Sequence, residues 1–191
     1  MKYQIESGWL SGVRRVPSPH CNSRPDGADV DLLVVHSISL PPGQYGGSYI
    51  DEFFLGHLDI DAHPYFSEIG TLQVSAHLLI DRNGRVTQYV PFHGRAWHAG
   101  QSEFCGRENC NDFSIGIELE GLETDTYTEA QYQSLAEVAA AIMQAYPAID
   151  QSRITGHSDI APGRKLDPGP GFDWQHFFSK LDQQTGEVSP R

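Results

Sequence analysis

Nine histidines stand among 191 residues, and position in the chain separates three of them from the rest. His36 closes the most apolar run, "DLLVVHSIS". His157 follows Gly156 after "RIT" and opens "HSDIAPGRKLDPGPGFDW", and His98 sits in "RAWHAG" between an aromatic and small residues. Two histidines from strand ends and one carboxylate from a loop would suit zinc, with three protein ligands and a fourth position open. Asp167 is the natural carboxylate. It precedes Pro168 and is therefore biased to extended backbone, where residues two apart point the same way, so Lys165 faces the same place. Lys165 is then suited to stabilise the oxyanion formed on a scissile carbonyl. Zinc hydrolysis also needs a base. Glu118 and Glu120 in "FSIGIELEG" share one face of a strand, opposite Ile115, Ile117 and Leu119, and glutamates in an apolar strand are costly unless paired or functional. An exposed face of an edge strand would read the same way. The residues alone leave three histidines for two places and two glutamates for one.

These groups need elements to position them. Pro162, Gly163, Pro168, Gly169, Pro170 and Gly171 exclude a helix around Lys165 and Asp167, so the backbone itself must aim those side chains. "DLLVVHSIS" reads as a buried strand, and "VSAHLLI" and "RVTQYVP" form a hairpin around Asp81-Arg82-Asn83-Gly84. "FSIGIELEG" is a third strand and "RIT" a short fourth. Thr128 and Gln131 form a capping box ahead of an apolar stripe from Tyr132 to Tyr146, and Pro147 stops that helix. Shorter helices are expected from Ser48, with Asp51 as its box partner, and in "WQHFFSKL". The resulting expectation is one α/β domain over residues 1–182, a central mixed β-sheet flanked by helices, with a disordered tail over 183–191. Residues 41–70, long for a connection and carrying Tyr45, Tyr49, Phe53, Phe54, Tyr65 and Phe66, are expected to be a lid over the site.

A net charge of −12 argues against nucleic acid or an anionic membrane as partner. No apolar run reaches the length of a membrane span, and the first residues lack the core of a signal peptide. Cys21, Cys105 and Cys110 are an odd set for disulfides, and Cys105 and Cys110 have no second pair to complete a zinc site. Reduced thiols and the missing signal point to a cytoplasmic protein.

Taken together, "LLVVHSISLPPGQYGG", "DAHPYF", "VSAHLLIDRNG", "QYVPFHGRAWHAG", "CNDFSIGIELEG", "YTEAQYQSL" and "TGHSDIAPGRKLDPGP" resemble family 2 of the N-acetylmuramoyl-L-alanine amidases. The likeness is strongest to the AmpD-type enzymes that act on 1,6-anhydromuropeptides, and runs from about Gly8 to Phe177. It is more distant to phage lysozyme-type amidases and peptidoglycan recognition proteins. The resemblance implies zinc held by His36, His157 and Asp167, where phage relatives carry a cysteine in place of the aspartate. It implies Glu118 rather than Glu120 as catalytic glutamate, Lys165 as its partner, and Trp97, His98 and Asn111 as substrate-pocket residues. Non-catalytic recognition modules have typically lost a metal ligand, whereas all these residues are present. A wall lysin acting on intact peptidoglycan is the alternative. The implied reaction is hydrolysis of the amide between the lactyl group of muramic acid and L-alanine, in wall recycling, with an indirect effect on β-lactamase induction. A small-molecule muropeptide is the expected partner, with no obligate protein partner. Such a substrate is anionic, which sits awkwardly with −12; Arg95 and Arg107 are expected to supply a local positive patch.

Overall fold

Residues 2–186 are described by the computed structural model, whose main element is one six-stranded sheet, beside three two-stranded ones. Its strands are β1 (Arg14–Arg15), β2 (Leu32–Ile38), β3 (Leu78–Ile80), β4 (Val86–Gln88), β5 (Ser114–Glu120) and β6 (Ile154–Gly156). They lie in the order β6-β2-β5-β3-β4-β1. The first four of these run parallel, β4 returns antiparallel to β3, and β1 is parallel to β4, so the sheet is mixed. The β3–β4 hairpin turns as expected: Asp81 Oδ1 accepts from the backbone N–H of Asn83 and Arg85, and Gly84 takes φ 76°. β5 is central rather than an edge strand, and all seven of its residues are buried.

The period-two alternation of β2 and β5 divides their side chains between two layers. Leu33, Val35, Ile115, Ile117 and Leu119 pack with Leu135, Ala139 and Ile142 of α3 (Glu129–Ala145) and with Phe177 and Leu181 of α5 (Trp174–Thr185). The opposite face carries Leu32, Val34 and His36 on β2, and Ser114, Gly116, Glu118 and Glu120 on β5. α3 starts where its capping box requires: Thr128 Oγ1 accepts from Gln131 N–H, and Gln131 Oε1 accepts from Thr128 N–H, both at 3.1 Å. Such a cap contributes about 1 kcal/mol. Asp173 caps α5 with a single bond, its Oδ1 accepting from His176 N–H at 2.9 Å. α5 runs further than the expected domain limit of 182. Gln183–Thr185 continue the helix beyond the buried Leu181, and Gly186 at φ 73° closes it. Residues 187–191 of the expected tail lie outside the described residues.

Residues 41–70 differ most from expectation. They fold into α1 (Tyr49–Leu55) and the single turn α2 (Phe66–Ile69). The box of Ser48 and Asp51 does not form, because Ser48 is already helical and its hydroxyl donates to Glu52. Asp51 is drawn away by Arg14 and by the Tyr89 hydroxyl, each at 2.6 Å. Phe53, Phe54 and Phe66 are buried with Leu79, Tyr89 and Ala96 in a second core cluster. Of the rings expected in a lid, these three are packed into the core, while Tyr45 is exposed.

Candidate active site

Three parallel strands end side by side, and their register assembles the site. Glu118 on β5 pairs with His36 on β2, and Gly156 on β6 pairs with Val35, which sets His157 beside His36. His157 opens α4 (His157–Ile160), a single turn begun by Asp159, whose carboxylate accepts from Gly156 N–H and the Thr155 hydroxyl. Asp167 arrives from the Pro-Gly segment, its carbonyl pinned by Ser158 N–H at 2.9 Å. His36 Nδ1, His157 Nδ1 and Asp167 Oδ2 then form a triangle with edges of 2.9, 3.0 and 3.2 Å. All three residues are buried, and among the described residues this is the one such group of three.

That triangle fits a cation. His157 Nε2 lies 3.1 Å from the Ala99 carbonyl, which can only accept, so Nε2 carries the proton and Nδ1 turns a lone pair inward. Burial pushes the His36 imidazolium down to about 4, so a proton is a poor occupant at neutral pH. A tetrahedral ion with bonds of about 2.0–2.2 Å spaces its ligands about 3.3 Å apart, a few tenths more than the edges here.

Glu118 and Glu120 share a strand face yet meet different neighbours. Glu120 is fully engaged: Oε1 accepts from Gly46 N–H at 2.6 Å and Oε2 from Arg82 N–H at 3.1 Å. Glu118 lines the same cavity as the triad, and its buried Oε2 has no partner. Burial first, then the neighbouring Asp167, push its carboxyl well above the usual carboxylate range, while Lys165 acts in the other direction. Lys165 is exposed at the cavity rim. The cavity has a volume of about 530 Å³ and is also lined by Ser37, Phe53, Tyr65, Leu72, Trp97 and Glu123. That is within the usual range for a small-molecule site.

The family described as N-acetylmuramoyl-L-alanine amidase matches residues 26–170, which span β2 to the Pro-Gly segment and include all five groups. The chain belongs to this family. It is 59% identical over 181 residues to the 1,6-anhydro-N-acetylmuramyl-L-alanine amidase AmpD of Escherichia coli, covering 95% of this chain and 98% of that one. A crystal structure of a selenomethionine AmpD derivative superposes with a TM-score of 0.91 at 59% identity, covering 93% of this chain and 98% of that one. The amidase AmiD of Escherichia coli, solved in complex with its substrate anhydro-N-acetylmuramic acid-L-Ala-D-γ-Glu-L-Lys, matches at a TM-score of 0.58 and 30% identity, covering 94% of this chain and 65% of that one.

Several residues expected in the amidase's pocket sit elsewhere. Trp97 does line it, with its indole N–H on Asn22 and its ring stacked on His20. His98 borders the cavity, but both ring nitrogens are taken, by His36 at 2.9 Å and Ser114 at 3.1 Å. Asn111 is buried, and its Oδ1 accepts the backbone N–H of His98 and Ala99. Arg107 lies outside the cavity, ion-paired with Asp31 at 2.6 Å and placed over the Phe113 ring. Arg95 is paired with Asp112 at 2.5 Å. The expected positive patch does not reach the cavity: Arg95 is paired with Asp112, and Arg107 shares Asp31 with Arg153. Arg164 and Lys165 are the cations lining the cavity, although the Arg164 guanidinium already donates to the Ala99 and Gln101 carbonyls.

Two residues of the scaffold went unread in the sequence. His77 on the strand-like approach to β3 accepts from Gly116 N–H at 3.0 Å, and the buried guanidinium of Arg24 donates to the carbonyls of Asn111, Asp112, Phe92 and Ser114. Nothing in the local pattern around Arg24, in "NSRPDG", distinguishes it from a surface arginine. The three cysteines are free, and no helix among the described residues is long and apolar enough to cross a membrane.

Proposed function

We propose that this amidase holds zinc on His36, His157 and Asp167 and hydrolyses the amide between the lactyl group of (1,6-anhydro-)N-acetylmuramic acid and L-alanine of muropeptides. The observation that carries the reading is the convergence of two inward lone pairs and a carboxylate beside a buried, unpartnered glutamate in one cavity. An N2O donor set with an open side is the ligand class of catalytic zinc. Relatives named for 1,6-anhydromuropeptides, and one solved with such a fragment, support the substrate class. The free cysteines and the absence of a membrane-crossing helix among the described residues accord with recycling in the cytoplasm.

Zinc bound there supplies Lewis acidity, polarising the amide carbonyl and making water a stronger acid. Glu118 takes the proton of water as the oxygen attacks the lactyl carbonyl carbon, and burial raises the proton affinity of its carboxylate for that role. Lys165 donates towards the oxyanion that develops on the same carbonyl. As the C–N bond breaks, Glu118 returns its proton to the departing nitrogen of L-alanine, leaving a lactyl carboxylate and a free peptide amine. The cavity wall of Phe53, Tyr65 and Leu72 limits water around these steps and offers apolar surface to the sugar.

Mass spectrometry of products from anhydromuropeptides, offered beside intact wall sacculi, tests the reading. Release of anhydro-N-acetylmuramic acid and free stem peptide is expected, with a loss of about a hundredfold or more in kcat for Glu118→Gln and for Lys165→Ala. Glu120→Gln is expected to keep its kcat in the fraction that folds. Cleavage of sacculi in preference to anhydromuropeptides would replace this reading with a wall lysin. In a deletion strain, cytosolic anhydromuropeptides should accumulate and, where an inducible chromosomal β-lactamase is present, its expression should rise.

A further inference from the structure

A single dipeptide, His98–Ala99, touches the outward nitrogen of both metal-ligand histidines. His36 Nε2 faces His98 Nδ1 at 2.9 Å, and His157 Nε2 faces the Ala99 carbonyl at 3.1 Å. Behind His98 the contacts continue in one direction. His98 Nε2 lies 3.1 Å from Ser114 Oγ, and Ser114 Oγ lies 2.5 Å from the carbonyl of Cys110.

A carbonyl only accepts, and that determines every proton in the row. Ser114 must donate its hydroxyl hydrogen to Cys110, so Ser114 Oγ can only accept from His98. His98 Nε2 therefore carries its proton and, in a neutral ring, Nδ1 is an acceptor. His36 Nε2 must then be N–H, which leaves the His36 Nδ1 lone pair pointing at Asp167 and His157. The His157 ring is set in the same sense by the Ala99 carbonyl. Both imidazoles thus turn Nδ1 towards Asp167, set by two backbone carbonyls, one direct and one through a side-chain row; the Arg164 guanidinium, 3.5 Å from His157 Nε2, makes its shorter contact, 2.6 Å, with the same Ala99 carbonyl.

The dipeptide is itself held. Asn111 Oδ1 accepts from His98 N–H at 3.0 Å and from Ala99 N–H at 2.8 Å. The ring of His98 lies against β5 only because residue 116 is glycine: a Cβ there would stand 2.5 Å from the imidazole. Asn111, His98 and Ser114 together make a hydrogen-bonded backing to the ligand pair.

We propose that His98 is a positioning residue for the metal site, setting the tautomer and orientation of His36, and that Asn111 is the clamp that lets the His98–Ala99 dipeptide serve both ligand histidines. The inference rests on the zinc reading above. Outer partners of metal-ligating histidines govern affinity because they orient the ring and raise its basicity; losing one costs about tenfold to a hundredfold.

Zinc affinity measured against a competing chelator tests it, with nitrogen-15 NMR of the imidazoles as a readout that needs no activity. His98→Phe keeps a ring and removes the acceptor, and is expected to weaken zinc by about tenfold to a hundredfold. His98→Asn places an amide oxygen where Nδ1 stands, and is expected to restore most of that loss. Asn111→Leu should weaken zinc in the same way, and Asn111→Asp, which keeps the acceptors, should not. In the wild type, with and without zinc, NMR should find the proton of both His36 and His98 on Nε2. A folded His98→Phe with wild-type zinc affinity overturns the proposal, as does a proton on His98 Nδ1; the NMR result decides should the variants fail to fold. A wild type that takes up no zinc at all would instead sink the metal reading, and the tautomers would still judge the row.

Discussion

Two segments outside the sheet border the cavity, and they are held by opposite means. Residues 161–171 carry Lys165 and Asp167, to which the proposed mechanism assigns chemistry, and are fixed by backbone contact. Gly169 and Gly171 dock against the 123–125 loop so closely that an added Cβ would lie 2.1 Å from the Glu123 carbonyl oxygen and 1.7 Å from that of Asp125. Residues 41–70 carry no reactive group and are fixed by side chains, with Phe53, Phe54 and Phe66 in an apolar cluster. A metal ligand has to sit within tenths of an ångström of its place, which close backbone docking provides. A wall for a sugar needs only to be apolar and present, which aromatic packing provides at large stabilising gain. Side chains in the first segment should therefore fail chemically when changed, and those in the second should fail structurally.

The largest expected effect comes from the first segment. Asp167→Ala should remove stoichiometric zinc and lower hydrolysis by about a thousandfold or more, while circular dichroism shows the fold intact. Retention of full zinc by that variant would break the comparison, and His36→Ala should behave in the same way. Phe66→Ala, in the second segment, should cost about 3–5 kcal/mol in denaturant unfolding yet leave zinc affinity near wild type. Gly171→Ala joins the two classes. Overpacking against Asp125 should destabilise by about 1–3 kcal/mol and, by shifting Asp167, weaken zinc as well; a change in stability alone would show that the glycine docking does not position the ligand.

A smaller effect should appear on the acid side of the metal-free protein. Burial holds the imidazolium of His36 down to about 4, and holds those of His77 and His98 well below their usual value. Unfolded, these rings take protons near pH 6.5, so below that pH the unfolded chain binds more protons than the folded one. Melting temperature should fall as pH drops from about 6.5 towards 4. Glu118 works in the opposite sense: its raised pKa makes the folded chain hold more protons above pH 4.5, so stability is lost as pH rises. Glu118→Gln should remove that alkaline loss, and an identical pH profile in the variant would contradict the burial argument. The smallest expected effect concerns motion. Hydrogen exchange should find the amides of α1 well protected without ligand, with any change on product binding confined to the exposed residues 42–48. Uniform deprotection of 41–70 in the free protein would restore the lid expected from the sequence.

What was legible in the chain was whatever local chemistry imposes. The capping box of Thr128 and Gln131, the Asn83-Gly84 hairpin, and the alternation of β2 and β5 are short-range rules and appear where the residues require them. Strand ends likewise marked His36 and His157, and a Pro-fixed Asp167 marked the third corner. The choice between Glu118 and Glu120 was not local. The two share a face and differ by what the fold brings up to them: Gly46 and Arg82 satisfy one, while the other is left alone in the cavity. Nor could position in the chain show that Arg95 pairs with Asp112 and Arg107 with Asp31 away from the cavity, or that Asn111 Oδ1 holds the backbone of His98 and Ala99. The aromatic content of 41–70 indicated order without saying whether the rings face a ligand or a core. Sequence by itself determined which residues could do the chemistry, because side-chain type and strand period are properties of the chain. Only the tertiary structure decided which of them are free to do it, because hydrogen-bond partners and burial come from segments tens of residues away.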